Sequence, residues 1–317
     1  MHVWRSVADV EPDQRSVVTV GNFDGVHRGH AHVVAVARDI AAEQSPPARV
    51  VAVTFDPHPM EVLLPERAPV RLTTIDDRGE LLLAAGVDRV LVLPFDREVA
   101  GWPPEEFVRR ILVEALAALV IVVGENFRFG AKAAGDVATL RELGEAAGFR
   151  VEVLALDGGA QPWSSTAVRQ ALTQGDVASA AKILGRLHTV TGVVVEGDHR
   201  GRELGYPTAN VPTDSMTAVP ADGVYAGWLQ RLDEPNAPMW PAAISVGTNP
   251  TFEGNQRRVE SYVLDRDDLE LYGVPVEVAF ADRLRGQVRF DSVADLVRQM
   301  GDDVDQARSL LVEAEDR

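Results

Sequence analysis

Residues 17–30 run Val-Val-Thr-Val-Gly-Asn-Phe-Asp-Gly-Val-His-Arg-Gly-His, and this stretch limits what the chain around it can become. Its β-branched start reads as a buried strand. Gly21, Phe23, Asp24 and Gly25 then break the run, and Val33, Val34, Val36, Ala37 and Ile40 restore a helical period. The order is strand, turn, helix, with glycines placed for close backbone approach. His27 and His30 lie three positions apart on the first helical turn, so both rings can face one way. A helix N-terminus offers free N–H groups and a partial positive charge, which suits a phosphate. Two other readings stay open: a helix start that merely carries histidines, and a metal site with only two donors supplied locally.

A chain of 317 residues is long enough for two domains with real cores. Its net charge of −17 argues against nucleic acid as a partner, though not against nucleotides bound by local groups. Without cysteine there is no disulfide, thiolate zinc site or cysteine nucleophile. The two lysines, Lys132 and Lys182, do not stand in P-loop spacing, and no dinucleotide fingerprint follows a strand. The longest apolar stretch, around 111–123, contains Glu114 and is too short to span a bilayer. No signal-peptide pattern opens the chain, so no membrane association and a cytoplasmic location are the default expectation. A homo-oligomer is left open.

Strands and helices alternate through the first half. Strands are expected at 17–20, 49–55, 89–93, 119–123 and 150–156, with helices through 81–85, over 103–115, and from an Asp136 cap to Gly148. This implies an α/β domain with a parallel sheet covered on both faces. Ligands bind such sheets outside the carboxyl ends of the strands. The unusual residues fall there: His27 and His30; Phe55, Pro57, His58 and Pro59; Gly124, Asn126 and Arg128; and the run 163–169, Trp-Ser-Ser-Thr-Ala-Val-Arg, with Ser165, Thr166 and Arg169. Taken singly, each has a plainer reading as a rigid turn, a polar loop or a helix cap.

His27-Arg28-Gly29-His30 resembles the His-x-Gly-His signature of nucleotidylyltransferases. The fuller stretch, with Pro57–Pro59, Gly124–Gly130 and Ser164–Arg169, resembles the N-terminal module of the prokaryotic bifunctional riboflavin kinase/FMN adenylyltransferases. The resemblance implies that His27, His30 and Arg169 act in catalysis together with Asn126. It also implies that Gly21, Phe23, Asp24, Gly25, Phe55, Pro57, His58, Pro59, Gly124, Arg128, Ser165 and Thr166 hold nucleotide or flavin. In that chemistry a phosphate oxygen of FMN attacks the α-phosphorus of ATP and pyrophosphate leaves. Positioning and charge stabilisation then suffice, and no covalent nucleophile is needed.

Short helical patterns near 166–172 and 177–184 lead to Gly185-Arg186, where the texture changes. β-rich runs at 189–195, 224–229, 242–246, 259–264 and 274–284 alternate with turn residues and suggest a small antiparallel barrel. Helical patterns follow at 292–300 and 303–313. Thr208 and Asn210 are oxygen donors two apart on an extended segment, and so share a side. Such a pair suits a Mg²⁺ held partly by ATP phosphates. Pro207–Asn210, Gly223–Tyr225, Val246–Phe252 and Val259–Leu264 resemble, in order, the motifs of the riboflavin kinase module. That module is a six-stranded barrel with a C-terminal helix. The resemblance implies that Gly205, Pro207, Thr208 and Asn210 contact ATP, that Thr208 and Asn210 contact Mg²⁺, and that Glu260 takes the proton of the ribityl hydroxyl. Leu187 stands where the family often has proline, and the loop at 198–202 is short for the family.

The expectation is therefore an adenylyltransferase domain at 1–185 and a riboflavin kinase domain at 186–317. ATP would serve both and Mg²⁺ the kinase domain, with riboflavin, FMN and FAD as substrates and products. A different nucleotidylyltransferase and a non-catalytic flavin-binding regulator are the competing readings.

Overall fold

The computed structural model describes residues 2–11, 14–155, 163–197, 201, 204–251 and 254–315, with backbone alone at 249–251, 254–256 and 313–315. The chain divides into two compact units, Met1–Ser165 and Thr166–Arg317.

In the first unit a six-stranded sheet is parallel throughout. Its strands are β1 (Val3–Trp4), β2 (Ser16–Val20), β3 (Arg49–Asp56), β4 (Arg89–Pro94), β5 (Ala118–Gly124) and β6 (Arg150–Leu154), in the order β1-β4-β3-β2-β5-β6. The helices are α1 (Arg28–Ala42), α2 (Pro59–Leu63), α3 (Ile75–Ala85), α4 (Arg97–Ala100), α5 (Pro104–Phe107) and α6 (Val137–Ala147). Strand side chains alternate between faces, and both faces are covered. Val18, Val51, Leu91 and Ile121 pack with Ile111 and Leu112, while Val17, Ala52, Val90 and Val122 pack with Val34 and Ala37 of α1. Thr74 and Asp136 cap α3 and α6 with side-chain oxygens.

Two details differ from the sequence expectation. The edge strand β1 is two residues long, too short to show a period. The helix expected over 103–115 turns π-helical at Val108–Ala115, after α5. There the Leu116 N–H bonds the Ile111 carbonyl at 3.1 Å, and the widened turn keeps Val108, Ile111, Leu112 and Leu116 all buried.

In the second unit, α7 (Ser165–Gln174, entered from the first unit) and α8 (Val177–Leu184) precede an antiparallel sheet. Its strands are β7 (His188–Val193), β8 (Ala209–Pro212), β9 (Gly223–Arg231), β10 (Trp240–Thr251), β11 (Gly254–Val263) and β12 (Pro275–Gly286), in the order β7-β12-β9-β10-β11-β8. The Val195 N–H donates to the Asn210 carbonyl at 2.9 Å across the β7–β8 seam, so the sheet nearly closes as a barrel. Tyr225, Leu229, Ile244, Val246, Val259, Val278 and Phe280 are fully buried.

The helix α9 (Val293–Glu315) lays Val304, Ala307 and Leu311 against Ala226 and Ala243 of the sheet's outer face and against Leu264 just past β11. Sequence suggested two helices here, broken near Gly301. A helical glycine costs about 1 kcal/mol relative to alanine, and burying this apolar stripe outweighs that. β8 forms on the segment read as extended in sequence, because 209–212 finds pairing partners at 258–261 of β11.

Candidate functional site

In the first unit the strand order reverses at β2, with β3 and β4 on one side and β5 and β6 on the other. A ligand crevice opens at such a reversal, outside the strand ends. The loops after β2, β3 and β5 are therefore neighbours, and they carry the histidine pair, residues 54–59 and residues 124–130.

The loop after β2 is strained, with φ of 49° at Phe23, 82° at Gly25 and 36° at Val26. For a β-branched residue this is an unfavourable backbone, and each such residue costs on the order of 1–3 kcal/mol. Asp24 holds it in place. Its carboxylate, 2% exposed, accepts from the Leu72 N–H at 3.1 Å and from the Thr73 N–H and hydroxyl at 3.2 Å. It also faces the buried Arg78 guanidinium at 3.5 Å. Arg78 donates to Thr54 Oγ1 at 3.3 Å and to the Phe55 carbonyl at 3.4 Å. The Thr54 hydroxyl donates to the Asn22 carbonyl at 3.0 Å, and the Ser165 hydroxyl to the Asp24 carbonyl at 2.8 Å. One buried ion pair thus ties together the β2 loop, the end of β3, and α3. The Asp24 side chain points inward, and Ser165 bonds this loop instead of capping its own helix.

His27 is the N-cap of α1, one step before the first turn where sequence placed it. Its Nδ1 accepts the His30 N–H at 3.4 Å, so the neutral ring carries its proton on Nε2. The two rings stack with centroids 3.6 Å apart and planes 18° apart, and Phe23 meets His30 edge-on at 5.1 Å. His30 Nδ1 is buried with no hydrogen-bond partner among the described residues. Burial, then the nearby His27 and Arg78, hold His30 well below the ordinary histidine value of 6.5. The pair places two stacked imidazoles at a helix start, with His30 held toward its neutral form.

After β3, the Asp56–Pro57 bond is cis, and His58, 9% exposed, caps α2 by accepting the Met60 N–H at 3.1 Å. Phe55 meets Phe95 edge-on. After β5, the Phe127 N–H closes a turn on the Gly124 carbonyl at 3.0 Å, and Phe127 stacks on Phe129. Asn126 and Arg128 are exposed at the tip, with Arg128 3.6 Å from Asp136. Thr166 and Arg169 lie on α7 in the second unit, Thr166 exposed and Arg169 half-buried.

The second unit gathers its candidates more tightly. Gly205, Pro207, Thr208, Asn210 and Glu260 line one cavity of about 510 Å³. The β8–β11 register sets Asn210 opposite Glu260, which itself faces Ser245 on β10, so the three share one sheet face. Asn210 is 6% exposed, and its Nδ2 donates to the Thr208 carbonyl at 3.1 Å and hydroxyl at 3.4 Å. Gly197 lies so close that a Cβ there would stand 2.6 Å from the Asn210 amide. Residues 198–200, 202 and 252, part of two patches singled out in sequence, lie outside the described residues.

Sequence reasoning missed Arg78. Arg78 had a signal: helical spacing puts it on the face of Ile75 and Leu82, an apolar stripe where a cation needs a buried partner.

The family model described as FAD synthetase matches residues 9–167, and that described as riboflavin kinase matches residues 184–311. The chain is 37% identical over 299 residues to the bifunctional riboflavin kinase/FMN adenylyltransferase of Escherichia coli K12, covering 94% of this chain and 93% of that protein. Its identity to the Pseudomonas fluorescens protein of the same name is 38% over 315 residues, 98% of each chain. A solved structure of a macrolide-efflux protein from Streptococcus pneumoniae matches with a TM-score of 0.85 at 32% identity, over 96% of this chain and 98% of that one. With both halves matched in order over nearly its whole length, the chain belongs to the bifunctional riboflavin kinase/FMN adenylyltransferase family.

Proposed function

We propose that the barrel phosphorylates riboflavin with ATP to give FMN, and that the α/β unit transfers AMP from a second ATP to FMN, giving FAD and pyrophosphate. The observation that carries this reading is the convergence of Thr208, Asn210 and Glu260 on one cavity, in a chain whose other unit sets a histidine pair at the sheet's reversal point.

In the barrel, the Glu260 carboxylate orients the ribityl 5′-hydroxyl and accepts its proton as the oxygen attacks the γ-phosphorus and ADP leaves. Gly205 and Pro207 line the nucleotide's place. The Thr208 hydroxyl and Asn210 side-chain oxygen are hard donors on one side of an extended segment, a set that fits Mg²⁺. The cation, when bound, neutralises charge on the ATP phosphates.

In the α/β unit, His27 Nε2 and His30 donate to the triphosphate at the α1 N-terminus as a phosphate oxygen of FMN attacks the α-phosphorus. Ser165, Thr166 and Arg169 hold the β- and γ-phosphates, Arg169 through its planar fork. Phe55 and Pro57–Pro59 hold the flavin, and Gly124, Asn126 and Arg128 contact nucleotide and flavin. Gly21, Phe23, Asp24 and Gly25 shape the turn under the phosphates. The catalytic modules meet at Gly185–Arg186, and the enzyme works in the cytoplasm; no helix among the described residues is long and apolar enough to cross a membrane.

The test is one incubation with riboflavin, ATP and Mg²⁺, the flavins being separated chromatographically over time. FMN followed by FAD is expected. Glu260→Gln should lower FMN formation by about 10²–10⁴-fold while FAD still forms from supplied FMN. Absence of both products, or equal loss of both activities in the variant, would contradict the assignment.

A further inference from the structure

Arg258 has no part in the roles above. It stands two residues before Glu260 on β11, so both side chains project from one face of the sheet, with about 6.6 Å of strand between them. Arg258 is half-buried, and its Nε is buried with no hydrogen-bond partner among the described residues, whereas its two terminal nitrogens reach the surface. Arg89 and Arg283 share that condition at Nε. Each still donates through a terminal nitrogen, to the Asp88 carbonyl at 2.9 Å and to the Gln174 carbonyl at 3.1 Å. The Arg258 guanidinium makes no hydrogen bond or ion pair with any described residue. Its register partners, Pro212 on β8 and Gly247 on β10, have no acceptor side chain to offer. The side chain next to Gly247 is Gln287, whose Nε2 is itself a donor and would stand 3.5 Å from a Cβ there. A guanidinium is always charged and only donates, so half-burying one without an anion is unfavourable.

The place of Arg258 says which anion it can meet. The chain runs from Thr208 through Asn210, opposite Glu260, to Pro212, opposite Arg258. Glu260 therefore separates Arg258 from Gly205, Pro207 and Thr208, and Arg258 does not line the cavity those residues share. With the nucleotide on their side, Arg258 is on the acceptor's side. Phosphoryl transfer changes the charge there. The ribityl chain of riboflavin ends in a neutral hydroxyl. Its oxygen bonds the γ-phosphorus as the bond to the ADP oxygen breaks, and its proton passes to Glu260. The flavin then carries a phosphate dianion. A guanidinium fork holds a phosphate through two parallel charge-assisted bonds, which a neutral hydroxyl cannot match.

We infer that Arg258 binds the phosphate group of FMN as it forms, and so holds product in preference to substrate on the acceptor side of Glu260. The inference rests on the kinase reading of the barrel given above. Arg258→Gln in the full chain is the test. Initial rates of ADP release from ATP, Mg²⁺ and riboflavin report the kinase step alone, since adenylyl transfer releases pyrophosphate. Added FMN competes with riboflavin as the product. Its inhibition constant should rise about tenfold in the variant, because charge-assisted bonds to the phosphate are lost. The KM for riboflavin, which lacks the phosphate, and the KM for ATP should each stay within about twofold. Arg258→Lys keeps the charge without the fork, so it should hold the inhibition constant within about threefold of wild type. FAD formation from supplied FMN should not move.

An inhibition constant for FMN altered by less than about twofold would overturn the inference, as would a wild-type kinase step insensitive to FMN. So would an equal rise in the KM for riboflavin, which would mark a general loss of the acceptor's place, or a rise in the KM for ATP, which would put the guanidinium on the nucleotide. A parallel fall in FAD formation would mean that the substitution damages the whole chain, and it too counts against the inference. A wild-type chain that releases no ADP with riboflavin overturns the kinase reading itself, and this is seen before any variant is made.

Discussion

His30 shows how one side chain's surroundings decide its charge. Buried, stacked on His27 and near the Arg78 cation, it is held well below 6.5. The unfolded chain, with an ordinary histidine, takes up a proton as pH falls through 6.5, while the folded chain does so only at lower pH. The unfolded state then binds more protons, so acidification below 6.5 removes stability and nothing is lost above it. Urea unfolding of the full chain between pH 7.5 and 5 should therefore show a loss of stability with acid that is smaller in His30→Gln. Equal acid sensitivity in both proteins would show that His30 titrates normally. This charge state was not legible in sequence. The spacing of His27 and His30 could be read there, but not the edge-on contact with Phe23 at positive φ, nor the charge of Arg78, which lies far along the chain.

At the scale of elements, legibility followed the strength of the local pattern. The Val-rich strands of the parallel sheet and the caps at Asp136 and Gly148 could be read from short windows. β1, the pairing of β8 and the π-helical run could not, because each exists through a partner remote in sequence: β4 for the first, β11 for the second, the buried sheet face for the third. Gly227 in β9 is a similar case. It reads in sequence as a weak point in a strand, whereas in the barrel it lies where a Cβ would collide with the Ala279 carbonyl oxygen and stand 2.7 Å from Ile244 Cδ1. Gly227→Ala should destabilise the barrel by about 3 kcal/mol, since backbone and not a flexible side chain blocks the methyl group. FMN formation should fall with the unfolding midpoint, and FAD formation from supplied FMN should persist. A variant with an unchanged midpoint would show that β9 and β12 can separate locally at no cost.

For the whole molecule, the place where one unit ends is a physical question separate from where one activity ends. Gly185–Arg186 marks the change of sequence texture, and the kinase match begins at 184. The compact second unit begins earlier, at Thr166, because α7 and α8 pack with the barrel. α8 lies against β7 and β12. The Ala221 N–H bonds the Leu172 carbonyl at 2.9 Å, and Arg283 donates to the Gln174 carbonyl at 3.1 Å. Val177, Ala180, Ile183 and Leu184 are buried on α8. A chain starting at Arg186 keeps Thr208, Asn210 and Glu260 and should still form FMN, but it uncovers the barrel surface beneath α8. Burying a large aliphatic side chain stabilises by about 1.5–3 kcal/mol, so losing three of them should cost the shorter chain roughly 5 kcal/mol relative to one starting at Thr166. Thermal unfolding of the two truncated chains measures the difference. Equal midpoints would mean that α8 rides on the barrel without supporting it, and the boundary of stability would then coincide with the boundary of sequence texture at Gly185–Arg186.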